Sequence, residues 1–211
     1  MLIVGAKGFA KEVLEILHGN GTVEDLLFYD DVTPIFPDTL YGKFLVLKAL
    51  EDAEKLFASK DNRFTIGLGN PCLRARIAEK FTAIGGKLVS TISDRAVIGS
   101  YGVTVGEGTN ILQSAIISND VQIGKGNIIY FNAVLTHDVV TGDFVEISPS
   151  VNLLGRCRIG EYTSIGTNST VLPDISVGKN VIIGAGSVVT KNLPDNCTAV
   201  GVPAKIIKIH E

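Results

Sequence analysis

Residues 115–135 read AIISNDVQIGKGNIIYFNAVL, and an aliphatic residue recurs in this stretch at every sixth position. The same register extends in both directions over fifteen hexads, in which Thr141 is the single polar member. The positions are Val105, Ile111, Ile117, Ile123, Ile129, Leu135, Thr141, Ile147, Leu153, Ile159, Ile165, Val171, Val177, Ile183 and Val189. A period of six matches neither the α-helix, at about 3.6 residues per turn, nor the coiled-coil seam, at about 3.5. The stretch therefore predicts a repeat structure built from six-residue units.

Two further regularities indicate how these units stack. A small or β-branched residue lies two positions before most of the aliphatic ones, as at Ala115, Val121, Ala133 and Cys157, which places both on one face of a strand. Glycines that follow the aliphatic residue recur with a spacing of 18, at Gly106, Gly124, Gly142, Gly160 and Gly178. Three hexads therefore make one coil of a triangular solenoid. Its glycines lie at corners that need a positive φ or a close approach of neighbouring chain.

The first part of the chain lacks the repeat and alternates predicted strands with predicted helices. These elements are strands over Leu2–Val4 and Arg63–Leu68, a strand ending at Asp30 and Asp31, and helices over Lys11–Leu17 and Leu73–Ala83. A strand, a helix and a second strand in this order begin a β-α-β unit, so we expect a small parallel sheet. The predicted fold is therefore mixed. A small α/β Rossmann-like domain covers residues 1–86, and a parallel β-helix covers residues 87–211.

Composition excludes several classes of protein. A net charge of -3 does not fit a nucleic-acid-binding protein, and no apolar run approaches the ~18 residues of a membrane span, so we expect neither nucleic acid nor membrane insertion. The start of the chain lacks the basic stretch of a secretion signal, which predicts a cytoplasmic location. The three cysteines have no metal-type spacing, so we expect no metal and three structural thiols.

The turn after the first predicted strand is a candidate phosphate site. Gly5, Ala6, Lys7 and Gly8 join this strand to a helix, where backbone N–H groups and the positive end of the helix can hold an anion. Asp30 follows Gly8 by 22 residues, close to the ~20-residue offset at which related folds bind a ribose hydroxyl. Glycines at such turns also serve close packing alone. The glycine turn together with Asp30 favours nucleotide binding over a role in packing alone.

One of the three histidines has a position suited to chemistry. His137 lies two residues after the inward Leu135, at a predicted corner from which its side chain cannot enter the core. An exposed histidine is available for catalysis or is an ordinary surface residue, and spacing alone does not decide between the two.

The whole sequence resembles one known family. The repeats, the Gly-rich front domain, the segment 136–144 (THDVVTGDF) and the closing segment 201–205 (GVPAK) are similar to the left-handed β-helix sugar acyltransferases. These enzymes acetylate nucleotide-linked amino sugars or sialic acid. The resemblance implies a left-handed helix, a homotrimer, acetyl-coenzyme A as co-substrate along the coils, and a nucleotide-sugar substrate in the front domain.

The resemblance also implies roles for single residues. His137 matches the general base that deprotonates the sugar amine, and Asp138 matches the acid that orients it. Neighbours in sequence often point apart, so Asp120 and Asp143 stay open as substitutes. Gly155 matches a glycine whose N–H polarises the thioester carbonyl. Ala185, Gly186 and Lys205 match the coenzyme-binding end of the family.

The chain also departs from its relatives. Glu146 stands where many of them carry a second histidine, which puts the coenzyme contacts and the acyl group in doubt. Tyr130 stands where some carry an asparagine that binds the substrate amine, and Asn132 is a candidate to replace it. In the front domain, Asp30 with Asp31, and Gly69 with Asn70 and Arg74, resemble segments that contact the nucleotide.

Other functions fit the sequence less well. A carbonic-anhydrase-like β-helix needs three histidine zinc ligands on its coils, where this chain has one. The front domain is too short for the sheet of an NAD-dependent oxidoreductase. The expected function is therefore N-acetylation of a nucleotide-linked amino sugar for polysaccharide or glycan synthesis. Sugar or sialic acid O-acetylation and a non-catalytic scaffold remain the alternatives.

Overall fold

The structure, a computed structural model, describes residues 1–34 and 37–210. Contacts divide the chain into two compact units, Met1–Thr91 and Ile92–Glu211. The first unit extends beyond residue 86 because a strand at Lys87–Leu88 joins its sheet.

The first unit is a sheet with three helices. Its elements are β1 (Leu2–Val4), α1 (Gly8–Gly19), β2 (Leu27–Tyr29), β3 (Thr39–Leu40), β4 (Phe44–Leu47), α2 (Leu50–Ser59), β5 (Arg63–Ile66), α3 (Pro71–Ala83) and β6 (Lys87–Leu88). The strand order is β3-β4-β2-β1-β5-β6, and every pair is parallel except β3 with β4. The expected α/β front domain is confirmed.

The sheet order creates a crevice beside β1. The chain leaves β1 toward β2 on one side and later returns to β5 on the other, so β1 is the point at which the winding reverses. In open α/β sheets, ligands bind outside the carboxyl ends of the strands at such a point. The core beneath is fully apolar at β1, and on the α3 side it contains Phe57, Phe64 and Phe81 with ring centroids 5.7–6.3 Å apart.

Both long helices of this unit begin earlier than the sequence pattern predicts. α1 starts at Gly8 instead of Lys11, because Phe9 and Ala10 already pack into the core. α3 starts at Pro71 instead of Leu73, because the Asn70 side chain caps it by accepting a hydrogen bond of 2.9 Å from the Leu73 N–H. Proline suits the first helical position, where its missing N–H costs nothing.

The second unit is a three-sided solenoid of short parallel strands. Face one contains β7 (Thr91–Ile92), β10 (Asn110–Ile111), β13 (Ile128–Ile129), β16 (Glu146–Ile147), β19 (Ser164–Ile165), β22 (Ile182–Ile183), β24 (Cys197–Val200) and β25 (Lys205–Ile209), the last strand being antiparallel. Face two contains β8 (Val97–Ile98), β11 (Ile116–Ile117), β14 (Val134–Leu135), β17 (Asn152–Leu153), β20 (Thr170–Val171) and β23 (Val188–Val189). Face three contains β9 (Thr104–Val105), β12 (Gln122–Ile123), β15 (Val140–Thr141), β18 (Arg158–Ile159) and β21 (Ser176–Val177).

The hexad register sets which side chains fill the solenoid. The second residue of each short strand points inward, and the stack from Ile111 to Val189 is almost completely buried. Partners across neighbouring coils are 18 residues apart, as for Ile117 with Leu135 and Leu135 with Leu153. The predicted coil of three hexads is confirmed.

Candidate active site

His137 lies on the corner between face two and face three. It follows β14 and precedes β15, and 55% of its side chain is exposed. Its Nδ1 atom lies 2.7 Å from Oδ2 of Asp138, and this is the ring's one hydrogen bond within the described part of the chain. Nε2 therefore has no hydrogen-bond partner among the described residues. A neutral imidazole held in this way presents Nε2 as the nitrogen that can accept a proton.

The backbone at Asp138 explains why two sequence neighbours meet. Asp138 has φ of 59°, in the left-handed region that aspartate tolerates better than most residues. Along an extended strand the two side chains would point to opposite faces, whereas the left-handed turn brings the carboxylate back to its neighbour. Of the three candidate acids, Asp138 is the one in contact, and Asp143 accepts a hydrogen bond from the Lys125 N–H instead.

Gly155 lies directly beneath the imidazole, one coil further along. A Cβ atom at this position would lie 2.7 Å from Cε1 and 2.8 Å from Nε2 of His137, so any side chain would displace the ring. Over the ranges 1–34 and 37–210, the Gly155 N–H donates no hydrogen bond. An amide N–H without a partner next to the base can polarise a carbonyl oxygen.

Two charged residues that the sequence reasoning missed complete this corner. Arg156 donates to Asp174 from Nε (2.6 Å to Oδ1) and from Nη2 (2.8 Å to Oδ2). The hydrogen bond from Arg156 lowers the pKa of the Asp174 carboxyl below its usual range. Both residues line a groove together with Asp138, Arg158 and Ser176. Arg156 follows Asp138 by 18 residues and Asp174 follows Arg156 by another 18, and this repeat was the signal that could have found them.

The first unit holds a separate cleft at the carboxyl ends of β1 and β2, with a volume of about 230 Å³. Gly5, Ala6 and Lys7 form one wall, and the side chain of Lys7, the N-cap residue of α1, makes no capping hydrogen bond among the described residues. The remaining lining residues are mostly apolar: Val4, Tyr29, Asp30, Asp31, Val32, Thr33, Leu68, Leu73 and Ile77. Uncapped N–H groups and an apolar slot together suit an anionic group attached to a flat ring.

The two predicted acids of this cleft have different surroundings. Asp30 is committed to its own loop, since Oδ1 accepts from the N–H groups of Val32 and Thr33, and Oδ2 accepts from the Thr33 hydroxyl. Asp31 accepts from the Tyr29 hydroxyl at 2.9 Å and from Lys80 Nζ at 3.3 Å. Burial works to raise the pKa of Asp31, but these two hydrogen bonds outweigh it and hold the pKa below its usual range.

The predicted residues around Gly69 stabilise the turn between β5 and α3, next to this cleft. Asn70 is the cap of α3, and the guanidinium of the buried Arg74 donates to the Gly69 carbonyl. Both interactions shape the turn that leads into α3. Tyr29 was not predicted from the sequence, and burial together with its bond to Asp31 raises the pKa of the Tyr29 phenol above its usual value.

The structure places the other predicted residues away from the His137 corner. Tyr130, Asn132, Ala185 and Gly186 lie at the corner between face one and face two. Glu146 is the outward residue of β16 on face one, half-buried between Ile128 and Ser164. Lys205 begins β25. Within the solenoid, one chain therefore carries the predicted residues at two different corners and on face one.

Neither a metal cluster nor a membrane helix is found among the described residues. No group of three histidine, cysteine, aspartate or glutamate side chains in residues 1–34 and 37–210 could hold a metal ion. No helix within those ranges has the length and apolar character needed to cross a bilayer.

Comparison with known families matches both parts of the chain. Residues 1–81 match the family described as the PglD N-terminal domain, and residues 156–191 match the family described as bacterial transferase hexapeptide (six repeats). A search of curated proteins found no match.

Solved structures match the chain over nearly its full length. Perosamine N-acetyltransferase (PerB) from Caulobacter crescentus, in complex with CoA and GDP-perosamine, is 32% identical, with 98% of this chain and 96% of that chain covered and a TM-score of 0.89. The acetyltransferase domain of PglB from Neisseria gonorrhoeae, in complex with acetyl coenzyme A, is 30% identical, with 98% of each chain covered and a TM-score of 0.87. WeeI from Acinetobacter baumannii is 28% identical, with the same coverage and a TM-score of 0.75.

Proposed function

The chain belongs to the left-handed β-helix acyltransferases that use acetyl-coenzyme A to acetylate nucleotide-linked sugars. From this premise we propose that it N-acetylates an amino sugar and that His137 is the general base. The observation that carries the proposal is the geometry of the His137 corner. Nδ1 is held by Asp138, Nε2 is open, and an unpaired N–H lies beside the ring at Gly155.

The chemistry follows from these groups. The sugar amine attacks the thioester carbonyl of acetyl-coenzyme A while Nε2 of His137 takes a proton from the nitrogen. Asp138 stabilises the imidazolium that results, because its carboxylate accepts the Nδ1–H. The Gly155 N–H donates to the carbonyl oxygen as negative charge develops there. The thiolate of coenzyme A then leaves, and the imidazolium returns its proton to the leaving sulfur or to water.

The cleft of the first unit is the proposed site for the nucleotide. The N–H groups around Ala6 to Gly8 suit the diphosphate, whereas the Gly5 N–H already donates to the Tyr29 carbonyl. The apolar slot between Val32 and Leu73 suits a base. The C. crescentus relative binds a GDP-sugar, which supports a nucleoside diphosphate sugar as substrate. We expect Asp31, whose side chain is 38% exposed, to contact the nucleoside, since Asp30 already holds its loop.

A homotrimer is part of the proposal because one chain divides the predicted residues between two corners. Residues on two edges of a filled prism cannot meet across its core. Contact between the His137 corner of one copy and the corner with Asn132 and Gly186 of another would unite them. This arrangement agrees with the homotrimer that the family resemblance implies.

A thiol-release assay tests the reaction. Acetyl-coenzyme A is offered with UDP-, dTDP- and GDP-linked amino sugars, and the product is identified by mass spectrometry. We expect amide formation on one nucleotide class. An ester on a sugar hydroxyl in place of the amide would favour O-acetylation, and no turnover with any acceptor would favour a scaffold.

The base is tested by substitution. We expect His137→Ala to lower kcat by about 10²- to 10⁴-fold, the usual contribution of a general base, with unchanged melting temperature. His18→Ala is the matched control, since this exposed histidine at the end of α1 has no proposed role. A normal rate for His137→Ala would remove His137 from the mechanism.

A further inference from the structure

Three charged residues lie in one column along the catalytic corner. Asp138, Arg156 and Asp174 occupy equivalent positions in successive coils, 18 residues apart, with φ of 59°, 63° and 63°. Neighbouring coils pair as parallel strands, which places equivalent residues about 4.8 Å apart. From Asp138 to Asp174 the charges therefore alternate, with one guanidinium between two carboxylates.

The guanidinium bonds to one of its two neighbours only. Arg156 forms a two-pronged pair with Asp174, at 2.6 and 2.8 Å. Asp138, in the part of the chain that the structure describes, pairs with His137 alone. Backbone hydrogen bonds also connect the coils that carry these groups. The Arg156 N–H donates to the His137 carbonyl at 3.1 Å, and the Asp174 N–H donates to the Gly155 carbonyl at 3.0 Å.

Arg156 and Asp138 nevertheless interact through their charges. The pair with Asp174 raises the pKa of Arg156, and the charge of Asp138 adds to that effect. The pKa of Asp174 is lowered mainly by Arg156, with a smaller contribution from His137. Other charged groups near the column are Asp120, one coil before Asp138, and Arg158, on the adjoining strand β18.

A guanidinium keeps its charge at every accessible pH and binds carboxylates through a planar fork. Without Asp174, the nearest carboxylate in the column is Asp138, and pairing with it would draw Asp138 from the imidazole. We propose that Asp174 is a positioning residue that holds Arg156 away from Asp138, so that Asp138 remains on Nδ1 of His137. This inference rests on the proposed role of His137 as the base.

Steady-state kinetics of the full enzyme tests the proposal. Asparagine at position 174 tolerates the left-handed backbone but lacks the charge and the second acceptor oxygen. We expect Asp174→Asn to lower kcat about fivefold, a modest loss because the ion pair that it breaks is exposed, with both KM values unchanged. The double variant Arg156→Gln with Asp174→Asn should recover kcat to within about twofold of the wild type, because no guanidinium is left to capture Asp138.

This recovery separates positioning from a purely structural role. If Asp174 only stabilised the corner, removing Arg156 as well would not restore the rate. Glu107→Gln is the matched control, since it breaks another cross-coil ion pair, Glu107 Oε1 to Lys125 Nζ at 2.9 Å, and should leave kcat unchanged. A double variant as slow as Asp174→Asn, or an Asp174→Asn variant with normal kcat, would overturn the proposal.

A crystal structure of the Asp174→Asn variant gives a readout that does not depend on activity. The expected result is the Arg156 guanidinium on the Asp138 carboxylate, with the His137 ring released. An Asp138 still bound to His137 would contradict the inference. The two proposals fail separately: normal activity in His137→Ala removes the base itself, whereas an inactive His137→Ala variant beside a normal Asp174→Asn variant removes only the positioning role.

Discussion

At residue 155, the absence of a side chain leaves room for the His137 ring. The Cβ of an alanine would overlap the His137 ring, which is an exposed side chain that can move without disturbing the core. Because a misplacement of about 1 Å can cost ~10²-fold, we expect Gly155→Ala to lower kcat by about that factor with little change in melting temperature. Kinetics and circular dichroism measure the two effects.

Gly160→Ala provides the opposite case. Its Cβ would lie 2.5 Å from the Gly178 carbonyl carbon and the Lys179 nitrogen, which are backbone atoms of the next coil. This variant should have a lower melting temperature, whereas Gly155→Ala should have a lower kcat. A Gly155→Ala enzyme with normal kcat would show that the ring position is not critical.

The residues of the corner could be predicted from the sequence to different degrees. The exposure of His137 follows from its distance to the inward Leu135, and 18-residue spacing places Gly155 in the next coil. The contact of His137 with Asp138 could not be derived, because it depends on the left-handed φ of one turn residue. Hexad periodicity carries no information on that angle.

At the scale of the coils, a buried asparagine side chain joins two neighbouring turns of the solenoid. Nδ2 of Asn127 donates to the carbonyls of Gly124 (2.7 Å) and Gly142 (3.0 Å), and Oδ1 accepts from the Val145 N–H (2.8 Å). Removing it leaves buried backbone groups with fewer partners, and each unsatisfied group costs about 1–3 kcal/mol. We expect Asn127→Ala to lower the free energy of unfolding by about 2–3 kcal/mol, measured by urea titration.

Asn152→Ala is the control for this prediction. The Asn152 side chain is half-buried and, among the described residues, donates only to the nearby Ser150 carbonyl at 3.2 Å. A change within about 0.5 kcal/mol is expected for such a position. Equal losses in both variants would mean that the internal asparagine does not bridge the coils.

The elements themselves were predictable because the period of six appears directly in the apolar residues. The sequence did not show whether the corner glycines are needed for a positive φ or for close approach of the neighbouring coil. Gly106, Gly124 and Gly160 serve close approach, since a Cβ at each would meet the backbone of the next coil. The positive φ values fall instead on a separate series that includes Asp138, Phe144 and Arg156. Phenylalanine and arginine do not favour a positive φ by themselves, so the geometry of the coil imposes it on these residues.

At the scale of the whole chain, each unit contains one kind of proposed site. The cleft for the nucleotide is lined entirely by residues between Val4 and Ile77, and the His137 corner lies entirely within the solenoid. The change in periodicity predicted two domains, and the glycine turn together with the family resemblance predicted that the first one binds the nucleotide. The sequence could not predict how the two prism edges are brought together, because in the proposed homotrimer that depends on other copies of the chain.

The division predicts that the first unit works alone as a nucleotide-binding module. We expect a fragment of residues 1–91 to fold, because its sheet and its aromatic cluster are complete within it. By calorimetry it should bind the preferred nucleoside diphosphate within about threefold of the affinity of the full enzyme, since every residue lining the cleft is present. Coenzyme A is the internal control, because the fragment should not bind it while the full enzyme does. A folded fragment with no affinity for UDP, dTDP or GDP would mean that residues beyond Thr91 complete the nucleotide site.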